Sequence, residues 1–153
     1  MSSQTSSSQA SPSVVIDADG QILGRLATNV VRLLKEGKKV EVVNVEKIIL
    51  SGPKNRVLAS YTLMFDVKTL FNPYTNSVIR PRSPERIFKR TIRGMLPRGQ
   101  KGMRMLKMVK AYIGVPEHLA NKEKIKPSTS DGARLKGKFV TLYEVSKSLG
   151  WKE

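Results

Sequence analysis

The chain has 153 residues, no cysteine, and 28 Lys plus Arg against 12 Asp plus Glu, which gives a formal net charge of +16. This length suffices for one domain with a real core, and no apolar run approaches the ~18 residues of a membrane-spanning helix. The lack of cysteine excludes disulfides, zinc–thiolate sites and thiol nucleophiles. So high a charge destabilises a small domain by self-repulsion and is typical of proteins with a polyanionic partner.

Residues 1–13 are mostly Ser, Gln and Thr and carry no charged side chain. They cannot bury enough apolar surface to offset the entropy of ordering, so we predict a disordered tail. The tail lacks the apolar stretch of a secretory signal and the arginines of a transit peptide, so we expect a cytoplasmic protein. Residues 14–153 are predicted to form a single domain.

The start of this domain alternates between strand and helix patterns. Residues 14–16 form a short apolar run that ends in a turn at residues 17–20, which predicts a buried strand. Apolar residues then recur at helical spacing over residues 23–34, with Gly37 as the expected C-terminal cap. A β-branched run at residues 40–45 predicts the next strand. This order predicts an α/β fold with a mainly parallel sheet of four strands, covered on both faces.

A third apolar run, residues 48–50, stops at Ser51-Gly52-Pro53, and we predict a long helix after it. Val57, Tyr61, Met64 and Phe65 would share one face of that helix, which should end before Asn72-Pro73. Residues 75–84 have little periodicity and predict an extended basic connection.

The second half of the chain has three further helix signals. Ser83-Pro84-Glu85 predicts a helix start with a Ser cap, and the helix should end at Leu96-Pro97. Residues 98–102 predict a flexible basic loop, followed by a short helix from Met103 and a strand at residues 109–113. Beyond Pro116 the chain is loop-rich as far as Thr141, where a capping box predicts a last helix that ends at Gly150.

Most of the excess charge is concentrated in residues 80–110, which hold eleven basic residues and one acidic residue, Glu85. On a helical wheel, Phe88, Thr91, Ile92, Met95 and Leu96 share one side, and the cations share the other. A solvated helix face normally mixes Glu with Lys, so this pattern favours a polyanion-binding surface. The candidate binding residues are Arg80, Arg82, Arg86, Lys89, Arg90, Arg93, Arg98, Lys101, Arg104 and Lys107.

The type of cation indicates which polyanion binds. Arginine outnumbers lysine in this segment, and arginine donates paired hydrogen bonds to phosphate and stacks on bases, which suits shaped RNA better than a membrane surface. Gly94, Gly99 and Gly102 would allow close backbone approach. The one aromatic residue of the segment, Phe88, lies on the apolar side. We therefore predict recognition of the RNA backbone and shape rather than base stacking.

The turn Gly20-x-x-x-Gly24-Arg25 at the start of a helix raises an alternative, a small nucleotide-dependent enzyme. It lacks the GxGxxG spacing and the Lys-Ser/Thr ending of known phosphate loops. We favour a structural turn in which Gly24 permits close helix–sheet packing and Arg25 points outward, where it could contact RNA phosphate.

The other residues that could carry chemistry are more typical of structural or surface positions. His118 is the one histidine and has no recognisable triad partner, so we expect a surface position. Asp17 and Asp19 could form part of a metal site but are more typical of a turn. The methionines at positions 95, 103, 105 and 108 are expected to fill the core. We therefore predict no metal, cofactor, small-molecule substrate or membrane partner.

Several motifs together resemble the universal large-subunit ribosomal protein thirteen family, in its archaeal and eukaryotic branch. The most specific is Arg93-Gly94-Met95-Leu96-Pro97 after a basic helix, with Leu23-Gly24-Arg25-Leu26-Ala27 upstream. Further matching stretches lie at residues 15–20, 43–47, 51–52, 84–87, 91–92 and 112–116. They occur in the family's order over about two thirds of the chain.

This resemblance implies a three-layer α/β/α fold around a small parallel sheet. It also implies a non-enzymatic protein that holds large-subunit ribosomal RNA beside neighbouring ribosomal proteins, with Arg25, Arg93 and Gly94 facing the RNA. A free regulatory RNA-binding protein remains a further alternative to the ribosomal one. Residues 1–13 and those after Pro116 lie outside the resemblance, and no function is predicted for them.

Overall fold

The computed structural model describes residues 13–66, 72 and 80–152. The helices are α1 (Leu23–Lys35), α2 (Lys54–Asp66), α3 (Pro84–Met95), α4 (Gln100–Lys107), α5 (Glu117–Ala120) and α6 (Leu142–Ser148). The strands are β1 (Ser13–Asp17), β2 (Lys39–Val43), β3 (Ile49–Ser51), β4 (Val109–Ala111), β5 (Lys124–Ile125) and β6 (Phe139–Thr141). The predicted tail, except for Ser13, lies outside the described residues, as do residues 67–71 and 73–79, where we expected the end of the long helix and most of the extended connection.

Four strands form a parallel sheet in the order β4-β2-β1-β5. In the central pair, Ile16 lies opposite Val42. Strand β2 ends at Val43, and the next residue, Asn44, has a left-handed φ of 57° and leads into a 3-10 helix at Val45–Lys47. The predicted α/β fold with a mainly parallel four-stranded sheet is confirmed.

The two faces of this sheet are covered unequally. Helices α1 and α3 pack together over one face, where Ile16, Val40 and Val42 join a large apolar core. Val15 and Val43 point to the other face, where Leu119 of the short helix α5 covers them. Successive strand residues point to opposite faces, so helix layers lie on both sides of the sheet.

A second, two-stranded sheet lies beside the first, and it was not predicted. The apolar run at residues 48–50 forms β3, which pairs antiparallel with β6 through Leu50 and Val140. β3 therefore contributes to the second sheet, and the fourth strand of the parallel sheet is β5, in a segment predicted as loop. Strands as short as these carry too little periodicity to show which partner they pair with.

Helix boundaries follow the local signals closely. Gly37 ends α1 with a left-handed φ of 81°, and the Thr141 hydroxyl accepts a hydrogen bond from the Glu144 N–H at 3.3 Å, as a capping box requires. Helix α3 begins at Pro84 as predicted. Ser83 precedes it in an extended conformation, but its side chain accepts no bond from the helix, so the predicted side-chain cap is wrong.

The segment predicted as a flexible basic loop, residues 98–102, is mostly helix. The chain reverses at Gly99, whose φ is 93°, and α4 begins at Gln100. Gly102 lies buried in the first turns of α4, where a Cβ atom would stand 1.9 Å from the carbonyl oxygen of Pro97. The missing side chain therefore lets α4 pack against the end of α3, and Gly102 does not serve close approach to RNA.

This contact predicts opposite effects for two glycines of similar sequence context. Gly102→Ala should lower the free energy of unfolding by about 1–3 kcal/mol, because backbone atoms must move to admit the methyl group. Gly94→Ala should raise it by about 0.5–1 kcal/mol, because Gly94 lies in a helix with open space around its Cα. Urea unfolding of the isolated chain measures both, and equal effects would contradict the packing described.

Candidate nucleic-acid interface

The apolar stripe of α3 anchors this helix in the core. Ile87, Phe88 and Ile92 are at most 2% exposed, and Leu96 is buried just beyond the helix. Met95, which we expected on this stripe, lies at the last position of α3 and is 41% exposed instead, whereas Ile87 is buried.

The opposite face of α3 and the following helix α4 expose a dense set of cations. Arg86, Arg90 and Arg93 recur at a spacing of three or four residues and so lie along one side of α3. We use the term basic surface for the exposed cations Arg86, Arg90, Arg93, Arg98, Lys101, Arg104 and Lys107. The remaining predicted cations differ: Arg80 and Lys89 are half-buried, and Arg82 is exposed but engaged with α2.

The ion pairs formed among the described residues lie elsewhere. Their cations are Lys38, Lys54, Lys122 and Lys126, all outside residues 80–110. None of these five pairs includes Arg86, Arg93 or Arg98 of the basic surface. Like charges held this close repel one another, and a polyanion would relieve that repulsion.

Arg25 lies close to one end of the basic surface. It is exposed in the first turn of α1, and Thr28, one turn further on, places its hydroxyl oxygen 3.9 Å from the Met95 sulfur at the end of α3. Gly94 is exposed beside Met95, with no atom within 4 Å of where a Cβ would stand. The three residues assigned by resemblance, Arg25, Arg93 and Gly94, are thus on neighbouring ends of two packed helices.

Gly24 has a different setting from the one predicted. It is exposed, and a Cβ atom there would meet nothing within 4 Å, so the expectation that Gly24 permits close helix–sheet packing is wrong. The backbone N–H groups of the three residues before α1 are already used inside the protein. Those of Gly20, Gln21 and Ile22 donate to the carbonyls of residues 47, 18 and 130. The turn is therefore structural on its inner side and open only at Gly24 and Arg25.

The methionines and His118 lie mostly at the surface. Met95 and Met103 are 41% and 46% exposed, so the expectation that they fill the core is wrong, whereas Met105 and Met108 pack partly buried against it. The His118 ring is exposed and stands edge-on to Tyr112, with 5.6 Å between the ring centres.

Asp17 and Asp19 form part of a hydrogen-bonded turn. Partial burial raises the pKa of Asp17, but hydrogen bonds from the Asn44 amide at 2.8 Å and the Asp19 N–H at 3.1 Å outweigh it. The Lys126 ammonium, 3.3 Å from Oδ2, acts in the same direction, so the pKa of Asp17 lies below its ordinary value. Within the described ranges, no three His, Asp or Glu side chains gather as a metal site would require, and no helix is long and apolar enough to cross a membrane.

A second cationic surface was missed by the sequence analysis. It lies around Phe139 and the lysines of residues 136–138, outside the dense charge segment. The available signal was the run Lys136-Gly137-Lys138-Phe139, in which an aromatic residue follows closely spaced cations. A count of charge alone does not find it, because the two cations of this run are few beside the eleven of residues 80–110.

Comparison with known proteins identifies the family. The sequence model described as Ribosomal protein L13 matches residues 12–118. The chain belongs to this family. Proteins named Large ribosomal subunit protein uL13 are similar along most of their length: that of Saccharolobus solfataricus is 64% identical over 138 residues, which cover 90% of this chain and 93% of the relative. That of Sulfolobus acidocaldarius is 52% identical with the same coverage, and that of Methanococcoides burtonii is 39% identical over 90% of this chain and 98% of the relative.

The turn at Asp17 predicts a pH-dependent stability. Because the folded pKa is lowered, the ionised Asp17 stabilises the fold above the unfolded pKa of about 3.9, and this contribution is lost as the pH falls through the folded value. Asp17→Asn should therefore lower the free energy of unfolding by about 1 kcal/mol at neutral pH and by less in acid. Lys126→Gln should produce a smaller change of the same kind. Urea unfolding over about pH 2–7 tests this, and a gap between wild type and D17N that does not shrink in acid would contradict it.

Replacing Arg82 should lower the stability of the fold, whereas replacing its exposed neighbour Arg86 should not. The Arg82 guanidinium lies 5.1 Å from the centre of the Phe65 ring and so connects the start of α3 to α2. Arg82→Gln should cost the isolated chain about 0.5–1 kcal/mol, because the cation–π contact is lost. Arg86→Gln, at an exposed position, should stay within about 0.5 kcal/mol of wild type. Thermal unfolding without RNA distinguishes them, and equal midpoints would assign Arg82 no structural role.

Proposed function

We propose that the chain is a structural constituent of the large ribosomal subunit and that it braces ribosomal RNA through the basic surface. The observation that supports this proposal most directly is the exposure of seven cations on α3, α4 and the turn between them, in a chain of the ribosomal protein L13 family. The curated relatives are named for the large ribosomal subunit.

The chemistry of the basic surface suits a folded RNA. Five of its seven cations are arginines, whose planar guanidinium groups donate paired hydrogen bonds to phosphate oxygens. The Phe88 ring is fully buried, so this surface offers no platform for base stacking. It would therefore read the phosphate backbone and the shape of RNA helices.

Arg25 and Gly94 extend the proposed contact. The open space at Gly94 leaves room for a phosphate or ribose beside Arg93, and Arg25 adds a cation from the adjoining end of α1. Arg80, Arg82 and Lys89 were predicted as binding residues as well. We now assign them to the border of the contact, because Arg80 and Lys89 are half-buried and Arg82 stacks on Phe65.

Members of this family are structural proteins, and the chain is not an enzyme. We infer that residues 14–153 act as one unit whose partners are large-subunit RNA and neighbouring ribosomal proteins, on ribosomes in the cytoplasm. The family gives the nucleotide-dependent alternative no support, and the N–H groups of residues 20–22 already bind carbonyls within the fold. A free regulatory role would require a discrete RNA target and no association with ribosomes.

Neutralising part of the basic surface should weaken RNA binding in a salt-dependent way. Replacing Arg86, Arg93 and Arg98 together with Gln removes three phosphate contacts. The slope of log affinity against log salt should then fall by about 2–3, because each neutralised phosphate contributes ~0.7–0.9. Filter binding to large-subunit ribosomal RNA over a range of salt concentrations measures this slope.

A matched variant controls for net charge. Lys35, Lys39 and Lys152 are exposed and dispersed outside the basic surface, so replacing all three with Gln removes the same charge from another place. We expect this variant to keep the wild-type slope and to co-sediment with large subunits at moderate salt. Equal losses in the two triple variants would show that bulk charge, and not the basic surface, binds RNA.

A further inference from the structure

An open cleft of about 800 Å³ lies between the first turn of α2 and the start of β6. The backbone fixes both walls, since the Gly52 N–H donates to the Lys138 carbonyl at 2.8 Å and Ser51 pairs with Phe139. The cleft is lined by Pro53, Lys54, Asn55, Lys136, Gly137, Lys138, Phe139, Val140 and Glu144.

Phe139 is the most prominent feature of this cleft. Strand β6 alternates, so Val140 packs inward with Val57 and Val145, while Phe139 points away from the core. The Phe139 side chain is 55% exposed, and it is the most exposed aromatic residue in the described part of the chain. An aromatic ring left in water at the end of a strand is unfavourable unless something covers it.

The charges of the cleft are mainly positive. Lys54, Lys136 and Lys138 line it together with one carboxylate, that of Glu144, which lies 3.7 Å from the Lys54 ammonium. The ion pair between Lys54 and Glu144 leaves Lys136 and Lys138, the two residues nearest to Phe139 in sequence, as the net charge. The cleft therefore combines one exposed π-face with two cations.

We propose that this cleft holds an unpaired nucleotide of large-subunit ribosomal RNA. The base stacks on the Phe139 ring, and the ammonium groups of Lys136 and Lys138 bind the adjoining phosphates. This contact rests on the proposed function and adds to it a second RNA site with different chemistry. It also gives a role to the segment after Pro116, for which the sequence predicted none.

The same cleft could in principle attract an acidic protein segment, but its features favour RNA. An acidic peptide would bind the lysines beside any apolar side chain, so it does not require an aromatic ring. A nucleotide uses the flat face of the ring for its base and the adjacent cations for its phosphates. Lysine binds phosphate as a point charge, so it needs no paired hydrogen-bond geometry from its partner. The chain as a whole carries a net charge of +16, which also favours a polyanion as the occupant.

Conservative changes at Phe139 separate stacking from simple apolar contact. Phe139→Leu keeps an apolar side chain but removes the π-face, and it should weaken binding of the full chain to large-subunit RNA by about 5- to 150-fold. Phe139→Tyr keeps the ring and should bind as wild type does. Leu63→Ala, at another exposed apolar position that lies outside the cleft, should have no effect.

The lysines are tested by salt dependence and the ring by crosslinking. Lys136→Gln combined with Lys138→Gln should lower the slope of log affinity against log salt by about 1.4, or ~0.7 for each single-strand phosphate. The triple variant of Lys35, Lys39 and Lys152 serves again as the charge control. Ultraviolet irradiation of the wild-type complex should attach a nucleotide at Phe139, identified by mass spectrometry of the peptide.

The outcomes distinguish this proposal from the one it rests on. If Phe139→Leu binds RNA as tightly as wild type and Phe139 forms no crosslink, while the basic-surface variant still weakens binding, the cleft proposal is overturned and the proposed function stands. If the wild-type chain shows no salt-dependent binding to the RNA, the proposed function itself fails. If Phe139→Leu leaves RNA affinity intact but releases a neighbouring protein from assembled subunits, the occupant is a protein and the RNA assignment is wrong.

Discussion

The burial of one apolar stripe on α3 is the constraint on which the basic surface depends. Ile87, Phe88 and Ile92 pack into the same core as α1 and the parallel sheet, and they hold the helix in place although its outer face carries cations that repel one another. Gly102 extends this arrangement by letting α4 pack against Pro97. The free energy gained by burying these apolar side chains therefore offsets the repulsion among the cations of the basic surface.

The part of the chain that follows the family match, which stops at residue 118, is also built into the fold. Leu142 lies in the main core, and β6 completes the second sheet with β3. The Ser130 carbonyl accepts the Ile22 N–H at 2.8 Å, and the Ser130 hydroxyl donates to the buried amide of Gln21. These contacts reach back to the start of α1, so this part of the chain supports the helix that carries Arg25.

Local patterns were sufficient for the first βαβ unit, for α3 and for the start of α6. Their signals, such as the apolar spacing of α1 and the Thr141 capping box, act within a few residues and so can be read directly from sequence. The pairing of Ile49 with Thr141 could not be predicted from sequence, because a short antiparallel contact between residues so far apart depends on the whole fold. Gly24 and Met95 were misjudged for a related reason, since the side that a helix buries is decided by its neighbours.

The same limit applies to the binding residues. The concentration of charge in residues 80–110 identifies a region, but only the packing of α3 and α4 separates the exposed Arg86 from the stacked Arg82. The cleft at Phe139 shows the complementary case, in which few charges become informative because an exposed ring lies among them. A dense arginine array suits the backbone of folded RNA, whereas a ring with two lysines suits a nucleotide that has left its helix. The two proposed contacts would therefore divide paired and unpaired RNA between two surfaces whose chemistry differs.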